Sequence, residues 1–381
     1  MGLRAPTATV ERTHGQRRGC ALYAAARVVY DRLPMKIERH HFGKTDIDEP
    51  VDLFTLKNTN GLTVRFANYG GRITEILVPD RAGRFANVAL GYDALAPYVD
   101  QNPYFGAIVG RFANRIADGR FVIDAYPYET PRNNGANTLH GGLLGFDRRV
   151  WEASEVDVPG GRGVRLFYHS PNMEEGFPGN LDVTVTYALL DNNEFRIDYL
   201  ATTDRPTPVN LSNHTYFNLK GAGNGTVLDH ALRLHASHYT PVDESLIPTG
   251  EIRAVAGTPM DFTTPHKIGS RLADVRGGYD HNYVLDGRNA GQLTDCARLE
   301  EETTGRVLEI RTTEPGVQFY SGNFLDGSIT GPGGAYVKHG GLCLETQHFP
   351  DSVNQPTFPN TVLRPGEEYR QTTTWRFSTL P

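Results

Sequence analysis

Residues 182–203, DVTVTYALLDNNEFRIDYLATT, decide the fold class of this 381-residue chain. Val183, Val185, Tyr187 and Leu189 recur at every second position, and after an Asp-Asn-Asn break the alternation resumes at Phe195, Ile197 and Tyr199. A period of two puts those side chains on one face of a strand, and a polar break between two such runs is a hairpin signal. Working outward, GLTVRFANYGGRITEILVP (61–79) alternates likewise and is broken by Gly70 and Gly71, while RVLEIRTTEPGVQFYSG (306–322) reads as another strand pair around Glu314 and Pro315. The 41 glycines and 24 prolines supply many turns, and long helical periods are few. Short strands separated by turn signals predict an all-β chain, a large antiparallel β-sandwich. No internal repeat or low-complexity linker stands out.

One strand departs from the hydrophobic rule. In GLCLETQHFPDSVNQPTFPN (341–360), Leu342, Leu344 and Thr346 share one face, and Cys343, Glu345 and Gln347 share the other. The leucines suit a core. Glu345 then stands on the opposite face beside an amide and just ahead of a proline-bounded loop, where an ionised carboxylate can meet a polar ligand or simply face solvent. A second segment bears on that choice. NHTYFNL (213–219) sets His214 between side-chain amides and aromatics, after the strand-like PTPVNLS. Histidine titrates near neutrality, so it can be a hydrogen-bonded structural residue or the proton-exchanging partner of a carboxylate. His214 with Glu345 makes a candidate general acid and base pair.

At this point the chain resembles a known family, the aldose 1-epimerases of the galactose mutarotase type. The resemblance rests on GRFANRIADGRF (110–121), NTLHGGLLGFDRRVW (137–151), NHTYFNL, YDHNY (279–283) and GLCLETQHFPDSVNQPTFPN, in that order. GVQFYSGNF (316–324) and LRPGEEYRQTTTWRFS (363–378) extend it, so that it runs from about residue 37 to the C-terminus. It implies one domain over 37–381, built as the family's β-supersandwich with a site in a cleft on the concave sheet. It also implies interconversion of the α and β anomers of free aldohexoses such as galactose and glucose, within hexose metabolism. It assigns Glu345 as base, His214 as acid at the ring oxygen, and Asn114, Arg115, His140, Asp280 and Gln318 as sugar-binding positions. A guanidinium offers several fixed donors and a carboxylate accepts from neighbouring hydroxyls, so such groups suit a polyol. Simpler fates exist for each: Arg115 pairing with Asp118 or Asp124, Asp280 capping a turn, His140 satisfying loop backbone. Tyr104, Phe105, Tyr216 and Phe349 are candidates to cover the sugar's apolar face.

The reaction has no redox change, so no cofactor is expected. His235 and His238 are spaced like metal ligands, but no HExxH or paired CxxC accompanies them, and no metal is expected. A formal charge of −6 gives no reason to expect nucleic acid or an acidic membrane as partner, and no apolar run of about 20 residues exists to cross a bilayer. Cys20, Cys296 and Cys343 are too scattered for a disulfide framework, which points to a reducing compartment, the cytoplasm. Residues 1–36 read as an extension, disordered or not translated. Its first 34 residues are Arg-rich with only Glu11 and Asp31 as acids, and Arg27 interrupts its apolar piece.

Three other readings of the chain stand beside this one. A glycoside hydrolase would pair Glu345 with Asp280 across a glycosidic bond. A non-catalytic sugar-binding protein would keep the pocket without needing the His214 and Glu345 pair. A hexose-6-phosphate epimerase would need cations such as Arg148 and Arg149 at the cleft mouth.

Overall fold

A computed structural model describes residues 36–100, 103–287 and 291–381, which belong to one compact unit, Met35–Pro381. The N-terminal extension, apart from Lys36, lies outside the described residues.

The 182–203 hairpin forms as its alternation predicts. Strands Leu181–Leu190 and Glu194–Thr203 pair antiparallel, with Tyr187 opposite Ile197 and Val185 opposite Tyr199. Val183, Val185, Tyr187 and Leu189 are all fully buried. This register is self-enforcing, because a one-residue slip would turn every one of those side chains to water. The hairpin supplies the third and fourth strands of a nine-stranded antiparallel sheet completed by Glu152–Val158, Gly161–Ser170, Tyr369–Thr379, Arg306–Thr312, Thr294–Glu300, Ala231–Leu234 and His266–Lys267.

A six-stranded antiparallel sheet holds Tyr216–Phe217, Leu342–Gln347, Gly316–Tyr320, Asp280–Val284, His238–Tyr239 and Arg253–Ala254, in that order. The two sheets share one core. Trp375 of the larger lies edge-on to Phe217 of the smaller, with ring centroids 5.0 Å apart, and stacks at a tilt on Phe195. Thr346 of the smaller sheet meets Thr373 of the larger hydroxyl to hydroxyl at 2.6 Å. A five-stranded sheet spans residues 37–87 and contributes Phe54, Phe66 and Ile76 to the same core. Gly70 and Gly71 bend its chain with φ of 64° and 54°. A Cβ on Gly70 would stand 2.2 Å from the Asp147 carbonyl oxygen, so only glycine fits there.

One sequence reading needs correction. Residues 306–322 do form two strands, but they do not pair. Arg306–Thr312 belongs to the nine-stranded sheet and Gly316–Tyr320 to the six-stranded one. The intervening Thr313, Glu314 and Pro315 carry the chain from one sheet to the other. Buried Glu314 accepts a 2.7 Å hydrogen bond from the Tyr369 hydroxyl and lies 2.7 Å from His348 Nδ1, which fixes the crossing. A proline beside a buried carboxylate looks like a turn in sequence; here it marks a change of layer.

Candidate active site

Gly316–Tyr320 is the middle strand of three that set the chemistry. Its register places Gln318 opposite Glu345 on one side and opposite Asn282 on the other, with Tyr320 opposite Cys343 and Asp280. One face of this sheet therefore carries Asp280, Asn282, Gln318, Tyr320, Cys343, Glu345 and Gln347. The Leu342–Gln347 strand is buried on both faces, so Glu345 is only 2 % exposed, and the solvent-facing alternative fails.

The acid and base candidates come together. His214 Nε2 lies 3.8 Å from Glu345 Oε1. His214 sits between two short strands, its backbone N–H bonded to the Ala107 carbonyl and its own carbonyl accepting from Gly106 N–H. Its ring stacks against Tyr104 and Tyr216 and meets His140 edge-on at 5.1 Å. These groups line a cleft of about 150 Å³ with Asn114, Arg115, Asn134, Leu139, Asp280, Tyr320, Phe324 and Pro103. Tyr104, Asn114 and His140, all on its wall, have left-handed backbones with φ of 65°, 64° and 50°. Such conformations are costly for non-glycine residues and persist only where the surroundings impose them.

Each predicted binding residue is in or beside this cleft. Gln318 is 3 % exposed and donates its amide to Asp280 Oδ1 at 2.7 Å, which orients the carboxylate instead of leaving it to cap a turn. Arg115 bonds neither acid suggested for it. Its Nε donates to Asn134 Oδ1 at 3.1 Å, while Asp124 pairs with Arg364. Asp351, in the loop after the Glu345 strand, donates its backbone N–H to the Arg115 carbonyl and accepts from Ala117 N–H, so that loop anchors the arginine.

His140 does bond loop backbone, and that bond defines its chemistry. The Asn114 N–H donates to His140 Nδ1 at 3.1 Å. The lone pair of Nδ1 is thereby used, the proton of the neutral ring sits on Nε2, and the ring presents a donor. Burial first, then the neighbouring His214 and Arg115 charges, hold His140 well below the usual histidine range. The side-chain ligand atoms of His140, His214 and Glu345 lie within 4.8 Å of one another, a donor set that zinc accepts. Metal at Nε2 would require a proton on Nδ1, pointing at the Asn114 N–H, so the local hydrogen bonding opposes a metal here.

The cleft's low polarity acts oppositely on the pair. Burial drives His214 down to about 3, with Arg72 adding to the effect. Burial, then the Asp280 carboxylate, push Glu345 well above the usual carboxylate range against the pull of Arg115. Between those limits the two groups together hold one proton, and their titration belongs to the pair.

Of the aromatics, Tyr104 and Tyr216 line the cleft, whereas Phe105 joins the core and Phe349 packs on Phe358. Tyr320, Phe324, Leu139 and Asn134 were not singled out from the sequence; Tyr320 is two residues from Gln318 on one strand, a signal that alternation contains. Arg149 pairs with Glu174 at 2.9 Å and Arg148 donates to the Val99 carbonyl, so both are engaged away from the cleft lining. His235 and His238 join no cluster of metal-ligating side chains among the described residues. No helix among those residues is long and apolar enough to cross a membrane.

Comparison with known proteins identifies the family. The aldose 1-epimerase family pattern matches residues 52–376. Galactose mutarotase of Mus musculus is 49% identical over 330 residues, covering 86% of this chain and 94% of the mouse protein. Aldose 1-epimerase of Escherichia coli (strain K12) is 39% identical over 337 residues, 86% of this chain and 96% of its own. A crystal structure of the GalM/aldose epimerase homologue from C. elegans superposes with a TM-score of 0.78 at 30% identity, covering 85% of this chain and 98% of that one. A polar cleft on a buried sheet face, and these matches over most of the chain, give one conclusion: the chain belongs to the aldose 1-epimerase family.

Proposed function

We propose that the protein interconverts the α and β anomers of free aldohexoses such as galactose and glucose, with Glu345 as base and His214 as acid. Glu345 takes the proton from the C1 hydroxyl as His214 Nε2–H protonates the ring oxygen. The C1–O5 bond breaks, leaving an open-chain aldehyde. Rotation about C1–C2 turns the other carbonyl face to O5, and closure returns both protons. Atoms and charge balance within the pair and the sugar, and neither redox partner nor metal enters.

The observation that carries this reading is the 3.8 Å separation of His214 Nε2 and Glu345 Oε1. The two oxygens that exchange protons are bonded to one carbon, so a donor and an acceptor this close can each reach one of them. The resting pair holds its one proton either as carboxylic acid with neutral imidazole or as carboxylate with imidazolium, and moving one proton converts the first into the second. Asp280, oriented by Gln318, together with Arg115 and Asn114, suits the remaining hydroxyls. His140, fixed as a neutral donor, suits an oxygen close to His214. Tyr104 and Tyr216 suit the apolar face of the sugar. Cys296 and Cys343 are buried free thiols, which supports a reducing compartment such as the cytoplasm.

Polarimetry of freshly dissolved α-D-galactose and α-D-glucose tests the proposal, with methyl α-D-galactoside as control. The wild type is expected to accelerate mutarotation of both sugars and to leave the glycoside, which has no free C1 hydroxyl, untouched. An unaccelerated rate with folded protein would overturn the proposal. Cleavage of the glycoside would favour the hydrolase instead.

A further inference from the structure

Arg115 is held by several bonds along its backbone and by one at its side chain. Its N–H donates to Asn114 Oδ1 at 2.9 Å, its carbonyl accepts from Asp351 N–H, and it pairs with Leu139 across a two-stranded ladder. Among the described residues, no carboxylate comes within ion-pair distance of the guanidinium, and the single hydrogen bond it makes runs from Nε to Asn134 Oδ1 at 3.1 Å. Asn134 is itself braced. In Arg132-Asn133-Asn134-Gly135-Ala136-Asn137, Asn134 and Asn137 exchange two backbone N–H···O bonds of 3.0 Å across Gly135, whose φ is 62°. The Asn133 amide donates to the Leu139 and Gly142 carbonyls at 3.0 and 2.7 Å, and Asn137 Oδ1 accepts from Asp118 N–H at 3.0 Å. Two of the three asparagines thus tie the loop to its surroundings, and the third reaches Arg115.

We propose that Asn134 is a positioning residue for Arg115: its side-chain oxygen fixes the guanidinium plane through Nε before sugar arrives and leaves the terminal nitrogens for the sugar's hydroxyls. Nε is the innermost guanidinium nitrogen, so a bond there sets the plane and keeps the other four of the five N–H donors available. Arg115 and Asn134 both line the cleft, which places those donors beside the sugar. The neutrality of the partner matters. A carboxylate in its place would take two N–H groups in a fork and cancel the positive charge. An amide takes one and leaves the charge to act on Glu345, whose ionised form Arg115 favours. A long side chain ordered in advance loses less freedom when the sugar binds, so the bond to Asn134 acts on affinity.

This inference rests on the sugar-binding role proposed for Arg115, and its test separates the two. Nitrogen-15 NMR of arginine-labelled, sugar-free protein, with Arg115→Met to assign the signal, reads the exchange of the Arg115 Nε–H with water without reference to activity. Wild type is expected to protect that proton, and Asn134→Ala to exchange it at least about tenfold faster. In polarimetry with galactose, Asn134→Ala is expected to raise KM on the order of tenfold, the effect of one hydrogen bond to a charged group, with kcat changed no more than about threefold. Asn134→Asp keeps an oxygen at the same place and is expected to restore both the protection and most of the affinity. In an Arg115→Met background the alanine substitution is expected to raise KM less than about twofold further, because its effect passes through the arginine. An unprotected Nε–H in wild type, an Asn134→Ala variant with wild-type KM, or a full tenfold effect that persists without Arg115 would each overturn the inference, the last by showing that Asn134 meets the sugar itself. Absence of mutarotation in wild type would overturn the proposed function while the exchange rates still judged the bond to Asn134.

Discussion

The nine-stranded and six-stranded sheets are made of the same kind of strand but treat their second faces differently. Across the larger sheet, Arg233, Arg298, Glu309, Arg376 and Glu194 stand opposite one another on successive strands, and Arg298 bonds Glu309 at 2.6 Å. That row is at least partly solvated, with Arg298 34% and Glu309 38% exposed at the side chain. Across the smaller sheet the corresponding polar row, Asn282, Gln318 and Glu345, is 1%, 3% and 2% exposed. Charges in water interact weakly and are readily replaced, whereas polar groups in a dry cleft interact strongly and are costly unless a partner completes them. Glu345 Oε2, Gln318 Oε1 and both side-chain polar atoms of Asn282 have no protein hydrogen-bond partner. The wet face contributes solubility; the dry face holds unmet hydrogen-bonding capacity that a polyol can use.

The largest effect expected on the dry face comes from the proton pair itself. Glu345→Gln and His214→Asn should each lower kcat by roughly 10²- to 10⁴-fold with the circular dichroism spectrum unchanged, read by polarimetry under saturating sugar. A folded His214→Asn with near-normal rate would remove that residue from the mechanism. Next, Asp280→Asn exchanges a charged acceptor for a neutral amide and should lower kcat/KM by about 10- to 100-fold, mainly through KM, because hydrogen bonds to a charged group contribute about 1.5–3 kcal/mol. An unchanged KM would mean that the carboxylate meets no sugar hydroxyl.

The pH profile sharpens the contrast. Raising one pKa and lowering the other widens the interval in which the pair holds one proton. Activity should fall on the acid side only when a second proton leaves no base, toward the value of about 3 for His214, and on the alkaline side when loss of the last proton leaves no acid, above the ordinary carboxylate range. A narrow bell confined between ordinary glutamate and histidine values would show that the sheet face is wet in solution. The smallest effect belongs to the outer face: Glu309→Gln should leave kcat unchanged and shift stability by no more than about 1 kcal/mol in urea unfolding.

Much of this contrast was legible in the chain. Alternation identified the hairpin at 182–203 and the two faces of residues 342–347, because period two is a local property of a strand. Glu345 and His214 stood out as titratable groups in apolar surroundings. Alternation placed Cys343 with Glu345 on one face, and it also contained the placing of Tyr320 with Gln318, which was not drawn from the sequence alone. What sequence could not tell is which sheet a strand joins, since that depends on partners far along the chain. The crossing at Glu314 and Pro315 therefore looked like a hairpin turn. The fates of Tyr104 and Phe105 were equally hidden, because adjacent aromatics differ only in the direction their backbone turns them, and the left-handed φ of Tyr104 is a product of packing.

The cleft draws Tyr104, Arg115, His140, His214, Asp280, Phe324 and Glu345 from separate stretches spanning more than half of the chain. No fragment contains a working subset, so turnover exists only once the loop carrying residue 104 and the strand carrying residue 345 are both in place. A nonsense mutation anywhere before residue 345 removes Glu345, however much of the sandwich has been made. For the same reason, loss of mutarotation in rising denaturant should track the disappearance of the whole fold, making enzymatic rate a direct gauge of the fraction of molecules that are native.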